Sequence, residues 1–157
     1  MNPRSLFAGS GAMRVAMLGV LLLDALLVEN LLFAALVAND DVHSLFFCGL
    51  QLTHVFTLLL GTTAVAYYRH ARTLLPLLFG AYVHAFCADI GGLIEHGILA
   101  HAAATPRELR LEIVFIFVLS LLLVVDALGA HFVDRLRTCL ANEQQYLDAL
   151  LAPVAMG

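Results

Sequence analysis

Within one apolar stretch of this 157-residue chain, residues 76–101, four His, Asp and Glu side chains precede the final residue, His101. They are His84, Asp89, Glu95 and His96. The stretch is long enough to cross a bilayer, where a charged side chain costs roughly 2.5–3.5 kcal/mol on insertion scales. Such residues normally face protein or water and mark a function. Asp, Glu and His inside membranes carry protons, and histidine also ligates metals, so the residue types indicate cation or cofactor chemistry.

Similar residues occupy the other three apolar stretches of the chain. Together they form a set that we call the predicted polar core, which comprises Asp24, Glu29, His54, His84, Asp89 and Asp126. Measured from the centre of each stretch, at about 1.5 Å per residue, these residues fall near the middle of the membrane. We expect them to face the protein interior, either as a path for protons or a cation or as structural hydrogen-bonded pairs.

Other ionisable residues lie nearer the ends of the apolar stretches, and we expect them to be solvated. This group comprises Glu95, His96, His101 and His131.

His54 and His84 are the alternative candidates for haem or metal ligands. They are expected at similar depths on neighbouring helices, so they suit the axial ligation of a haem. A di-iron site of the helical-bundle type uses Glu-x-x-His motifs, and the sequence contains none. Haem or a transition metal is therefore the expected cofactor only under this alternative, and no particular metal is indicated.

One helix also resembles a known redox family. His84 followed by Glu95-His96 is similar to the His-x10-Asp-Tyr pattern in the small membrane-anchor subunit of succinate dehydrogenase. In that family the His binds haem b, and quinone binds near the Asp-Tyr pair. Here Glu-His stands in place of Asp-Tyr, and the family anchor has three spans. The resemblance implies haem or quinone chemistry on this helix.

The composition is that of an integral membrane protein. Of the residues, 62% are hydrophobic and 13% are charged, with a mean hydropathy of +0.93. Soluble domains have about 45–50% apolar and 25% charged residues. The net charge of -4 comes without a basic patch, which argues against a nucleic-acid partner. No nucleophile motif, HExxH or phosphate-binding glycine loop is present, so we expect a protein that is not an enzyme.

The sequence predicts an all-α fold, an antiparallel bundle of four transmembrane helices. The predicted spans are residues 15–38, 45–67, 75–100 and 111–134. All four prolines lie outside the helix interiors, which favours uninterrupted spans. Residues 1–14 are predicted to form an N-terminal tail. Residues 135–157 form a C-terminal tail that could contain a short interfacial helix.

The arginines predict the orientation, with both termini on the same side. Six lie on the side of the termini and two, Arg107 and Arg110, on the other. The six are Arg4, Arg14, Arg69, Arg72, Arg135 and Arg137. The positive-inside rule then places both termini in the cytoplasm, or in the matrix of a mitochondrion.

Small residues predict which helices pack most closely. Gly49, Thr53, Thr57 and Gly61 recur every four residues on the second helix, as do Gly80, His84, Ala88 and Gly92 on the third. Such stripes let helix backbones approach one another, so we expect the second and third helices to form the tight pair. The fourth helix has few polar residues and is expected to face mainly lipid.

These observations favour two functions for a non-enzymatic membrane protein. It acts as a subunit or accessory of a larger membrane assembly, or as a small bundle that conducts protons or a cation. The expected partners are the lipid bilayer and either other copies of the chain or other membrane subunits. The alternative is a haem- or metal-binding redox subunit.

Overall fold

A computed structural model describes the backbone of residues 3–38, 41–67 and 73–151, and this part of the chain forms four helices. They are α1 (Pro3–Ala38), α2 (Asp41–Ala66), α3 (Leu74–Ala102) and α4 (Pro106–Leu151). Side chains are described at residues 9, 11–31, 52–67 and 73–149. The all-α prediction is confirmed. Gly49 of the predicted small-residue stripe lies outside the residues whose side chains are described.

Judged on the described residues, three of the helices are long and apolar enough to cross a membrane. The stretches are Gly11–Leu31 in α1, Leu74–Ala102 in α3 and Pro106–Ala149 in α4. The described apolar part of α2, Leu52–Ala66, is shorter. These lengths agree with a membrane protein that contains transmembrane helices.

The second half of α3 buries two ionisable residues and exposes apolar ones. Asp89 and His96 have no exposed surface, whereas Ile90, Ile94 and Ile98 are exposed. A soluble helix shows the opposite pattern, with its apolar stripe turned to the core. Ionisable residues within membrane segments almost always face the protein interior, so the pattern of α3 is the one a bilayer requires.

Two helices extend beyond the predicted spans. Helix α1 begins at Pro3, inside the predicted N-terminal tail, and α4 continues to Leu151 instead of ending near residue 134. The segment predicted as a separate interfacial helix is therefore part of α4. Residues 135–151 contain no glycine or proline that would end the helix, and Leu136 and Leu140 stay buried in the core.

Helix α4 is the element on which α1 and α3 pack, contrary to the expectation that it mainly faces lipid. Among the described residues, α1 and α3 both pack on α4 more extensively than α2 packs on α3. Phe115, Leu119 and Leu122 of α4 are fully buried. The predicted tight pair of the second and third helices is also not found, because Gly80 and His84 of the α3 stripe face outward.

Helices approach closely at Gly129, outside the predicted stripes, and at Gly61 of the α2 stripe, which meets α1 instead of α3. A side chain at Gly129 of α4 would overlap the ring of Tyr82 in α3, and one at Gly61 of α2 would overlap Leu21 in α1. Tyr82 lies early in α3 and meets the later part of α4, whereas His96 lies late in α3 and meets the beginning of α4. Helices α3 and α4 therefore run antiparallel.

The start of α4 is fixed by a capping box. The amide of Glu108 donates to Oγ1 of Thr105 at 3.2 Å, and Oε2 of Glu108 accepts from the amides of Ala104 at 2.9 Å and Thr105 at 3.3 Å. Pro106 takes the first helical position, where its missing N–H costs nothing. This box sets the turn that brings α4 back along α3.

Candidate functional site

Each of the four helices contributes one ionisable side chain to a common buried position. We call this group the central cluster; it consists of Asp24 of α1, His54 of α2, Asp89 of α3 and Asp126 of α4. None of the four has any exposed surface. All four belong to the predicted polar core, and the structure brings them together from positions far apart in the chain.

His54 bridges two carboxylates within the central cluster. Its Nδ1 lies 3.0 Å from Oδ1 of Asp24, and its Nε2 lies 3.3 Å from Oδ1 of Asp89. A neutral imidazole has one N–H and donates to one partner only, whereas a protonated imidazole donates to both. The two contacts together therefore suit a cationic His54 between two carboxylates.

Asp126 completes the cluster from the side of α4. Neither of its carboxylate oxygens accepts a hydrogen bond from a donor among the described residues. The Asp89 carboxylate lies beside it, and ligand atoms of Asp24, His54 and Asp126 lie within 4.8 Å of one another. Two neighbouring carboxylates repel each other unless a proton or another cation lies between them.

The central cluster has more negative than positive groups. It holds three carboxylates and one imidazole, so even a cationic His54 leaves an excess of negative charge when all the carboxylates are ionised. An uncompensated charge away from water is strongly unfavourable. The cluster must therefore take up further positive charge, as protons or as a bound cation.

Tyr82 lies near the central cluster and was not singled out by the sequence. It is fully buried, and its hydroxyl has no hydrogen-bond partner among the described residues. Asp24 and Asp126 are close enough to influence it electrostatically. Its polar end thus extends the buried polar region beyond the four members of the cluster.

A second buried pair lies farther along α3. Nδ1 of His96 lies 2.5 Å from Oε2 of Glu112, and the His96 ring stacks on Phe115 with centroids 4.7 Å apart. The expectation that His96 is solvated is therefore wrong. His96 follows Asp89 by about two helical turns on one face, and that spacing is the sequence signal for its burial. The sequence contains no comparable signal for the burial of Glu112, because this residue lies at the beginning of an apolar run.

Glu29 and His84 do not join the other members of the predicted polar core. Both are exposed. Each is five residues from a cluster member on its own helix, Asp24 or Asp89, and this spacing turns the side chain by about 140°. The inward orientation of one member therefore places the other on the outer surface.

The orientation of α3 that places Asp89 in the interior also separates the two histidines proposed as a ligand pair, because it turns His84 outward. His84 lines an outward-facing groove of about 540 Å³ between α2 and α3, together with Leu52 and Phe56. His54 is buried, and both of its ring nitrogens face carboxylates. Within one chain the structure does not bring the two imidazoles to a common axial site.

The remaining ionisable residues expected near the membrane boundaries lie mostly at the surface of the helices. His101 and His131 are exposed, and Glu95 is half-buried. The pattern His84, Glu95, His96 that resembles the anchor of succinate dehydrogenase is therefore divided between the outer surface and the interior. Only His96 of this pattern lies in the core.

Comparison with known proteins adds no further assignment. The chain matches no family model, no curated protein sequence and no solved structure.

Proposed function

We propose that this protein is a four-span membrane protein that binds a cation, a proton or a metal ion, in its central cluster and passes it across the bilayer. The observation that carries the proposal is the convergence of one ionisable side chain from each helix, all four without exposed surface. Packing alone does not need such a set, because burying charge is costly and apolar residues would serve as well.

The positions of the four residues support a site inside the bilayer. Each lies within about 5 Å of the midpoint of its predicted span, at about 1.5 Å per residue. Around them, the outward-facing side chains next in sequence are apolar, as at Leu23, Val55 and Ile90. A lipid surface around an ionic centre is typical of membrane residues that carry protons or ions.

The proposal includes α2 as the fourth span and an antiparallel arrangement with both termini on one side. Helix α2 has 26 residues, which exceeds the roughly 20 residues needed to cross the hydrocarbon. An even number of spans returns the chain to its starting side, and the arginine distribution favours the cytoplasm or matrix for that side. Helix α4, with 46 residues, reaches about 69 Å and therefore extends beyond the bilayer.

The enclosure of the central cluster determines how a cation would pass. The four side chains have no exposed surface, which supports a site that is closed to both faces of the membrane. Passage then requires movement of the helices between states, and such movements take microseconds to milliseconds. We expect slow exchange, in the manner of a carrier, rather than the continuous conduction of an open pore.

A flux measurement on purified protein in liposomes tests this function. A pH-sensitive dye inside the vesicles follows protons, and a metal-sensitive dye follows manganese, cobalt and zinc. We expect vesicles with the wild-type chain to transport at least one of these cations faster than protein-free vesicles. Asp126→Asn and His54→Gln should return the rate to the protein-free level.

Two exposed residues of the same chemical types serve as matched controls. Glu29→Gln alters an acid on the same helix as Asp24, and His84→Gln alters an exposed histidine on α3. Both variants should transport at the wild-type rate. The proposal is contradicted if the wild-type chain transports none of these cations, or if folded Asp126→Asn transports as well as the wild type.

A further inference from the structure

We infer that the central cluster is a binding site for a divalent transition-metal ion, with Asp24, His54 and Asp126 as the protein ligands. The inference rests on the proposed function, because both concern the central cluster. It adds the chemical class of the cation that binds there. Its support comes from the kind, number and spacing of the ligand atoms.

The spacing of the ligand atoms suits one metal ion. One ligand atom from each of Asp24, His54 and Asp126 lies within 4.8 Å of the other two. Bonds of about 2.0–2.2 Å to nitrogen and oxygen place tetrahedral ligands roughly 3.4 Å apart. Closure by at most about 1.4 Å therefore brings the three side chains to a metal-binding geometry, which is within the reach of rotamer adjustment.

Asp126 supplies an independent observation that points to a ligand. It is fully buried, and neither of its carboxylate oxygens has a hydrogen-bond donor among the described residues. One of these oxygens lies with the ligand atoms of Asp24 and His54. Buried polar atoms in native structures are nearly always satisfied by protein, water or an ion. Oδ2 of Asp24 is in the same state, so two of the three ligands have oxygens available for a cation.

Asp89 has a different role in this arrangement, as a positioning residue. It lies 3.3 Å from Nε2 of His54, on the opposite side of the ring from Asp24. With Nδ1 as the metal ligand, the Nε2–H group donates to Asp89. Metal-binding histidines usually donate their second N–H to a carboxylate, which fixes the tautomer and orients the ring.

The ligand set selects a chemical class of ion. Calcium and magnesium prefer oxygen ligands alone, and magnesium keeps several waters. A site with one imidazole and two carboxylates suits manganese, iron, cobalt or zinc. A divalent ion also compensates two of the three carboxylate charges in the cluster, which lowers the cost of their burial.

The test uses cobalt as a spectroscopic probe of the full chain, purified in detergent and stripped of metal. We expect one cobalt per chain with the visible absorption of a low-coordinate site. Zinc should displace it, whereas calcium should not. His54→Gln and Asp126→Asn should abolish this binding, and Asp89→Asn should weaken it about 10–100-fold. Glu29→Gln and His84→Gln should bind as the wild type does.

A second measurement needs no substitution in the cluster. Bound cobalt is paramagnetic, so it should broaden the NMR signal of the His54 imidazole and leave that of exposed His84 sharp. The inference is overturned if no cobalt binds, if binding survives in folded Asp126→Asn, or if the broadened signal belongs to a surface histidine.

The outcomes separate this inference from the proposed function. Proton flux that depends on His54 in a protein that binds no cobalt would leave the proposed function intact and overturn the metal site. Stoichiometric cobalt in a protein that transports no cation would support the metal site and contradict the transport function.

Discussion

The phenol ring of Tyr82 in α3 lies against the backbone of Gly129 in α4, so closely that a methyl group at position 129 would overlap three ring atoms. This contact brings α3 and α4 together next to the central cluster. Tyr82 is fully buried and rigidly enclosed, so the ring has little room to move away.

Gly129→Ala should therefore destabilise the protein by about 1–3 kcal/mol, the usual cost of overpacking a core. Thermal or denaturant unfolding in detergent, followed by circular dichroism, measures the change. Gly80→Ala and Gly91→Ala are the matched controls, because a methyl group at either position meets nothing within 4 Å. Equal stability of all three variants would contradict the close approach of α3 and α4 at Tyr82.

The contact between Asp24 and His54 should appear as a coupling energy. A double-mutant cycle with Asp24→Asn and His54→Gln is expected to give about 0.6–1.7 kcal/mol, the range found for side-chain hydrogen bonds between membrane helices. The same cycle with Glu29→Gln in place of Asp24→Asn should give no coupling, since Glu29 is exposed. Equal coupling energies in the two cycles would contradict the orientation of α1 in which Asp24 faces His54 and Glu29 faces outward.

The sequence identified the composition of the central cluster but not its arrangement. Asp24, His54, Asp89 and Asp126 stand out because charges in apolar stretches are costly, and this argument needs no knowledge of packing. Glu29 and His84 stand out equally, and only the rotation of each helix separates them from the cluster. That rotation follows from contacts between helices, which the spacing along one helix does not contain.

The contacts that the sequence did not predict are those between distant residues. Glycine stripes on α2 and α3 suggested a tight pair, yet Gly61 of the α2 stripe meets Leu21 of α1. The other close approach joins Gly129, the one glycine in the sequence of α4, to Tyr82 of α3. The partner of His96 is Glu112, across the turn between α3 and α4. Pairing of this kind depends on the register of two helices, and no local pattern fixes that register.

The His96–Glu112 pair should contribute to stability near the turn between α3 and α4. His96→Ala removes the contact with Glu112 and the stacking on Phe115, and we expect a loss of about 1–3 kcal/mol in the free energy of unfolding. His101→Ala, at an exposed position on the same helix, should change stability little. The same unfolding assay compares the two variants, and equal losses would rule out a buried His96.

The capping box at the start of α4 offers a local test of the fold. Thr105→Ala removes the side-chain oxygen that accepts from the Glu108 amide, at an expected cost of about 0.5–2 kcal/mol. Hydrogen exchange should accelerate at the Glu108 amide and its neighbours. Arg107→Ala, one residue before Glu108 and without a capping role, should leave the exchange of these amides unchanged. Faster exchange in both variants would indicate that the helix begins elsewhere.

We expect the central cluster to lie at the middle of a bilayer that all four helices cross. Spin labels at exposed apolar residues next to the cluster, one on each helix, test it most directly. The positions are Leu23, Val55, Ile90 and Val124, with Arg107 as the aqueous control, in a chain whose cysteines (Cys48, Cys87 and Cys139) are replaced by serine.

Collision with dissolved oxygen and with a water-soluble nickel reagent then reports the depth of each label in liposomes. We expect all four labels to collide with oxygen, to be shielded from the nickel reagent and to lie at similar depths near the bilayer centre. The Arg107 label should collide with the nickel reagent. Access of nickel to the Val55 label, or to two or more of the four, would contradict this expectation, because the cluster would then not lie within a four-span membrane core.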